Sequence, residues 1–245
     1  MSSNLTAVQV STRTVHAVSA AAHLVVAIAL GALAVAQASI LLPVALSVPV
    51  GASVGNFARV DFAAAAAVVM LIGAAAHATL ALSAAGGGAR SRLLQLVAFA
   101  QASGITLFLV AQLNGVAEAG ALILVYAFGG GAAGLLWLQA RESDDRLRAR
   151  WPFSFAAGLA VVPWGIIALY QVVALVAGAP PAPIVRVLTV GVLLITALAW
   201  WVERRWQLGL SSPQRVALLH STLSVANGIA LLVLAVGLAR PSAIL

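Results

Sequence analysis

Few side chains in this chain could do chemistry, and the sharpest set is four histidines: His16, His23, His77 and His220. Neutral imidazole ligates iron, zinc and copper, and its two ring nitrogens also make hydrogen bonds. His23 and His77 lie about equally far from neighbouring ends of two consecutive apolar runs, so antiparallel helices would hold them at one depth. His16 stands seven residues before His23 and shares its helix face, and His220 stands seven before Asn227. Two chemistries compete for the pair His23 and His77. They are axial ligation of haem or of a metal ion, or a buried network of hydrogen bonds and water. His16 and His220 read as secondary positions nearer the membrane interface.

The remaining polar residues are thinly spread. Gln101, Ser103, Thr106, Gln112 and Asn114 form a polar stripe in the third apolar run. Gln101 and Ser103 are candidates for a cavity wall, with hydrogen bonding between helices as the competing role. Gly129, among Gly130, Gly131 and Gly134, either packs a neighbouring helix or a second copy, or widens a pocket for a flat ligand. Trp164 follows Pro163 at an expected kink and borders either a cavity or packed neighbours. Glu142, Asp144, Asp145 and Glu203 stand among arginines, and Asp61 and Glu118 at run ends, so no intramembrane carboxylate supports a pump or channel. No nucleophile–base set or phosphate-binding loop occurs, which leaves no catalytic residue to name and no enzyme, a haem redox role apart. Cysteine is absent, excluding disulfides and thiolate metal sites.

The elements that must position these residues follow from composition. With 63% hydrophobic and 8% charged residues and a mean hydropathy of +1.09, the chain cannot cover a water-facing globule. Seven apolar runs fit its 245 residues: 15–37, 61–84, 93–114, 119–140, 152–178, 185–206 and 214–239. The expectation is an all-α, seven-helix, rhodopsin-like transmembrane bundle forming a single domain over 1–245. The first helix reads as retained, since Met1 to Arg13 lacks signal-peptide features. Between the first two runs, Ala38 to Val60 is rich in β-branched residues and proline, and suggests a short β-hairpin. Gly86–Gly88, Arg141–Arg150 and Pro180–Pro183 separate later runs.

All 13 basic residues are arginines, against 6 acidic residues, for a formal charge of +7. They flank apolar runs, which reads as membrane topology rather than nucleic-acid binding. With a cytoplasmic N-terminus, Arg13, Arg90, Arg92, Arg141, Arg146, Arg148, Arg150, Arg204, Arg205 and Arg215 face inward. Only Arg59, Arg186 and Arg240 then face outward, so the expected orientation is N-terminus in and C-terminus out, in a cell membrane. Trp137, Trp151, Trp200, Trp201 and Trp206 gather at that same inner boundary. Arginine, alanine and glycine without lysine suggest a GC-rich prokaryotic source.

Several local runs, taken in order, resemble the heliorhodopsin family over nearly the whole chain. They are Ala22-His23-Leu24, His77, Ala111-Gln112-Leu113-Asn114-Gly115-Val116-Ala117-Glu118, Trp137-Leu138-Gln139 and Val162-Pro163-Trp164. The resemblance implies an inverted seven-helix fold, a homodimer, and His23 and His77 lining an inner cavity. That family links retinal to a lysine after a Leu-Ser run. Here Leu223-Ser224-Val225-Ala226-Asn227 puts the lysine position at Asn227, or at Gly228, and no lysine occurs in the chain. The family's counterion position falls on Ala98 by its spacing from Ala111-Gln112. The expectation is a retinal-free member, with no covalent retinal, whose cavity includes Asn227, Ala98, Gln101, Ser103, Gly129, Trp164 and Ser224. Its ligand would be a non-retinal small molecule, haem or a metal on His23 and His77, serving sensing, redox or carrier function. Alternatives are a cofactor-free dimeric scaffold whose Arg141–Arg150 segment recruits a cytoplasmic protein, and a non-covalent binder of retinal or a carotenoid.

Overall fold

A computed structural model describes residues 11–36, 38–47, 53–83, 89–141 and 151–239. Apolar runs of this length fold as helices because a bilayer offers no partner for bare backbone groups, and a helix satisfies them internally. The helices are α1 (Thr12–Val35), α2 (Phe62–Leu82), α3 (Ala89–Leu113), α4 (Ala119–Arg141), α5 (Trp151–Val176), α6 (Pro183–Gln207) and α7 (Pro213–Gly237). All seven are long and apolar enough to cross a membrane. Each end lies within four residues of the apolar run that predicts it.

The helix ends show why the chain turns where it does. The Ser11 hydroxyl accepts from the Thr14 N–H and caps α1, and Asp61 accepts from the Ala64 N–H to cap α2. Ser212 with Pro213 starts α7, and Pro183 starts α6. Glu118 accepts from the Ala121 N–H at 2.7 Å, and backbone donors of Ala121 and Gly120 hold its carboxyl below the usual carboxylate range. Gly115, at φ 93°, makes the left-handed turn between α3 and α4.

Between α1 and α2 the strands β1 (Leu41–Ser47) and β2 (Ser53–Asp61) pair antiparallel, from Leu41 opposite Asp61 to Ser47 opposite Ser53. Irregular register around Ala45 bends β1, and its N–H bonds the Ala117 carbonyl at 2.7 Å. The Gln112 amide donates to the Pro43 carbonyl at 3.1 Å, tying the sheet to the end of α3. The residues joining the two strands, like Gly86–Gly88 and the charged positions 142–150, lie outside the described residues.

Consecutive helices are neighbours, and α7 returns to α1, closing a ring. The densest core lies among α1, α2, α3 and α7, where Leu30, Phe62, Met70, Leu109, Leu231 and Leu234 are fully buried. Large apolar side chains such as Val25, Ile28, Val172, Val187 and Val236 cover the outside, as a surface against lipid tails requires. Close approach rests on missing side chains. A Cβ on Gly228 would run into the Met70 sulfur and touch Val26, and one on Gly129 would meet Leu107 Cδ1 at 2.6 Å. Gly131 and Gly134 face open space, so the glycines of α4 are only partly packing residues within the chain.

This difference is testable. Gly228→Ala is expected to lower stability in detergent by about 1–3 kcal/mol through overpacking, while Gly131→Ala stays within about 0.5 kcal/mol of the parent. Thermal unfolding of the two variants side by side is the check, and equal midpoints would contradict the packing of α7 on α2.

Candidate functional site

His23 sits on the inner face of α1 and is wholly buried. α2 makes room for it at Gly73, where any Cβ would collide with the imidazole. Burial of an imidazole is costly unless its nitrogens find partners, and both do. Nδ1 lies 2.7 Å from the Ser19 carbonyl, one turn earlier on α1, and Nε2 lies 2.8 Å from Ser224 Oγ on α7. A carbonyl only accepts, so Nδ1 carries the proton, and in the neutral ring Nε2 accepts from the Ser224 hydroxyl.

His77 comes from α2 and lies between two other histidines. Its ring centroid is 5.1 Å from that of His23 and 5.2 Å from that of His16. His16 Nδ1 and His77 Nδ1 are 3.0 Å apart, so one donates and the other accepts. The pair therefore holds at most one imidazolium without losing this bond. His16 is 8% exposed and belongs to the cluster, contrary to the interfacial place expected for it. The seven-residue spacing that puts it on the face of His23 is the signal that outweighs its nearness to the helix start.

Ser224 faces two ways. Beyond it opens a cavity of about 80 Å³ among α3, α6 and α7, whose polar wall is Ser103, Thr106, Thr196, His220, Ser224 and Asn227. The Asn227 amide donates to Thr106 Oγ1 at 3.1 Å across the cavity. His220 is not simply interfacial either, because it lines the cavity and approaches Glu203 Oε2 at 3.7 Å. Glu203 is 3% exposed and accepts from the Gln207 amide at 3.0 Å. Reading it as a boundary carboxylate among arginines misses that its helix face turns toward α7.

Of the residues expected at the cavity, Asn227, Ser103 and Ser224 line it, and Ala98, Gln101, Gly129 and Trp164 do not. The Gln101 carbonyl oxygen instead accepts from the Tyr126 hydroxyl at 2.6 Å, on the α4 side. Gly129 packs against α3, and Trp164 packs against the buried cluster that includes Val110, Val125 and Ile167. Ala98 precedes Thr106, the α3 partner of Asn227, by eight residues, or about 12 Å along the helix. The spacing from Ala111-Gln112 thus does not place a counterion beside Asn227. A second polar node was not anticipated as a unit: Asn114 donates to Thr189 Oγ1 at 2.9 Å and accepts from the Gln171 amide at 2.7 Å, joining α3, α6 and α5. Its signal was one polar side chain near the same end of each of three apolar runs: Asn114, Gln171 and Thr189.

Haem or metal ligation by His23 and His77 does not fit this geometry. Both nitrogens of His23 are engaged, and the two ring centroids lie 5.1 Å apart, tilted by 39°, with no gap for a macrocycle. The cavity is also smaller than the roughly 150 Å³ that admits benzene, far below a porphyrin or polyene. Among the described residues, no group of three or more histidine, aspartate or glutamate side chains is placed to hold a metal ion. The chain matches no protein-family model and no curated protein sequence.

Ser224→Ala leaves His23 Nε2 buried without a donor. The expected cost is about 1–3 kcal/mol in thermal unfolding. Thr222→Ala, on an exposed hydroxyl bonded to its own helix at Leu218, should be near neutral. Equal effects would contradict the His23–Ser224 bond.

Proposed function

We propose that the chain is a retinal-free, heliorhodopsin-like membrane sensor with its N-terminus in the cytoplasm. In this reading it binds a small polar ligand of a few heavy atoms in the α3–α6–α7 cavity. The observation that carries it is the double role of Ser224, which is at once cavity wall and hydrogen-bond partner of His23. A serine hydroxyl has one proton to donate. A ligand acceptor that takes it leaves His23 Nε2 without its donor, and the change reaches His77 and His16 by direct ring contact. Such a coupling belongs to the range of about 1–3 kcal/mol typical of linked sites.

The histidines run from His23 at the middle of α1 through His77 to His16, toward the end of the bundle where α1 begins, α2 ends and α7 begins. That end carries most of the arginines, so the signal would emerge on the cytoplasmic face. The motif resemblance supports the family reading, and Asn227, one of the two positions where it puts the missing lysine, borders the same cavity.

Protein purified without additions is expected to be colourless, with neither a Soret nor a polyene band, and to gain no visible band with retinal. A Soret band lost in His23→Ala or His77→Ala would replace this reading with haem binding. Mass spectrometry of a solvent extract should show a small polar species that Asn227→Leu removes. Identical extracts from parent and variant would eliminate the ligand.

A further inference from the structure

The outer surface between α1 and α7 holds a recess of about 430 Å³, separate from the cavity and independent of the function proposed for it. On α7 its wall includes Leu218, Thr222, Val225 and Ile229, alternating at three- and four-residue steps that define one helix face, with Ser221 and Ala226 beside them. Arg215 lies on that same face, three residues before Leu218, and Arg13 stands one residue before the groove residue Thr14 on α1. Both arginines are exposed, and neither makes an ion pair among the described residues. Two exposed cations thus mark one end of a largely apolar recess.

Size narrows the occupant. Leu218 to Ile229 spans about 16 Å of helix, close to half of a hydrocarbon core about 30 Å thick, which is the depth of one leaflet. A single acyl chain matches that length, and the cations at the end of the recess favour an anionic headgroup over the apolar helix of a second copy. A third observation lies on its wall: Ser221 is 3% exposed, and its hydroxyl has no hydrogen-bond partner.

We infer that this groove is a binding site for an anionic phospholipid. Its phosphate lies between Arg13 and Arg215, one acyl chain lies along Leu218, Val225 and Ile229, and the Ser221 hydroxyl donates to an ester oxygen near the top of that chain.

Native mass spectrometry of the full chain, released from detergent with added phosphatidylglycerol or phosphatidylcholine, tests the site. One retained phosphatidylglycerol is expected, at least fivefold preferred over phosphatidylcholine. The preference should vanish in Arg13→Gln/Arg215→Gln, while Ala226→Phe, which fills the groove, should lose both lipids. Ser221→Val should weaken retention with little risk to folding, and circular dichroism monitors each variant. Equal retention of both lipids by the parent, or no change in the arginine variant, overturns the proposal. So does full competition by inorganic phosphate, which would mean an anion site without a chain. A change of oligomeric mass in Ala226→Phe would assign the groove to a second copy instead.

Discussion

A fully buried imidazole with both nitrogens bonded constrains the centre of this bundle. His23 would be expensive to bury with either nitrogen unpaired, since an apolar interior returns nothing for a lost hydrogen bond. Ser19 supplies one partner from the same helix, so that bond is set by helix geometry alone. The other comes from Ser224, and it requires α7 to lie at a fixed height and rotation beside α1. Gly73 is the complement on α2, and Gly228 lets α7 close on Met70. The packing of three helices is thus tied to one side chain, and the stacked rings of His77 and His16 extend that arrangement toward the helix start.

The same constraint explains why the site is split into two halves. The histidine cluster is dense, with both nitrogens of His23 and the Nδ1 atoms of His16 and His77 turned to neighbours. The cavity on the far side of Ser224 is small and has a mixed wall, with Asn227 and Thr106 bridging it. The hydrogen bond from Asn227 to Thr106 spans this cavity and keeps it narrow. Ser19 also borders the outer groove between α1 and α7, so the lipid-facing surface and the histidine cluster share a residue.

Much of this was legible from pattern. Helix limits followed from apolar runs and their caps, because Ser11, Asp61, Pro183 and Ser212 announce their roles locally. The meeting of His23 with His77 followed from matched depth on consecutive antiparallel helices. Rotation about each helix axis was not legible. The overall apolar character of α2, α3 and α7 gives no clear inward face, so Gln101 and Ser103, two residues apart, could not be assigned to opposite sides. Glu203 was read only by its arginine neighbours in sequence, and that reading did not carry its burial or its approach to His220 on α7. Gly129 could not be separated from Gly131, because glycine carries no side chain whose polarity would mark its face.

The coupling between the cavity and the histidine cluster depends most on the state of His23. Side-chain ¹⁵N spectroscopy of histidine-labelled protein in lipid, with His23 assigned by its loss in His23→Gln, reads that state directly. The prediction is a neutral ring protonated at Nδ1, with Nε2 resonating as a hydrogen-bonded acceptor that becomes a free one in Ser224→Ala. A doubly protonated ring, an Nε2–H tautomer, or a spectrum indifferent to Ser224→Ala would contradict the coupling on which the proposed function rests.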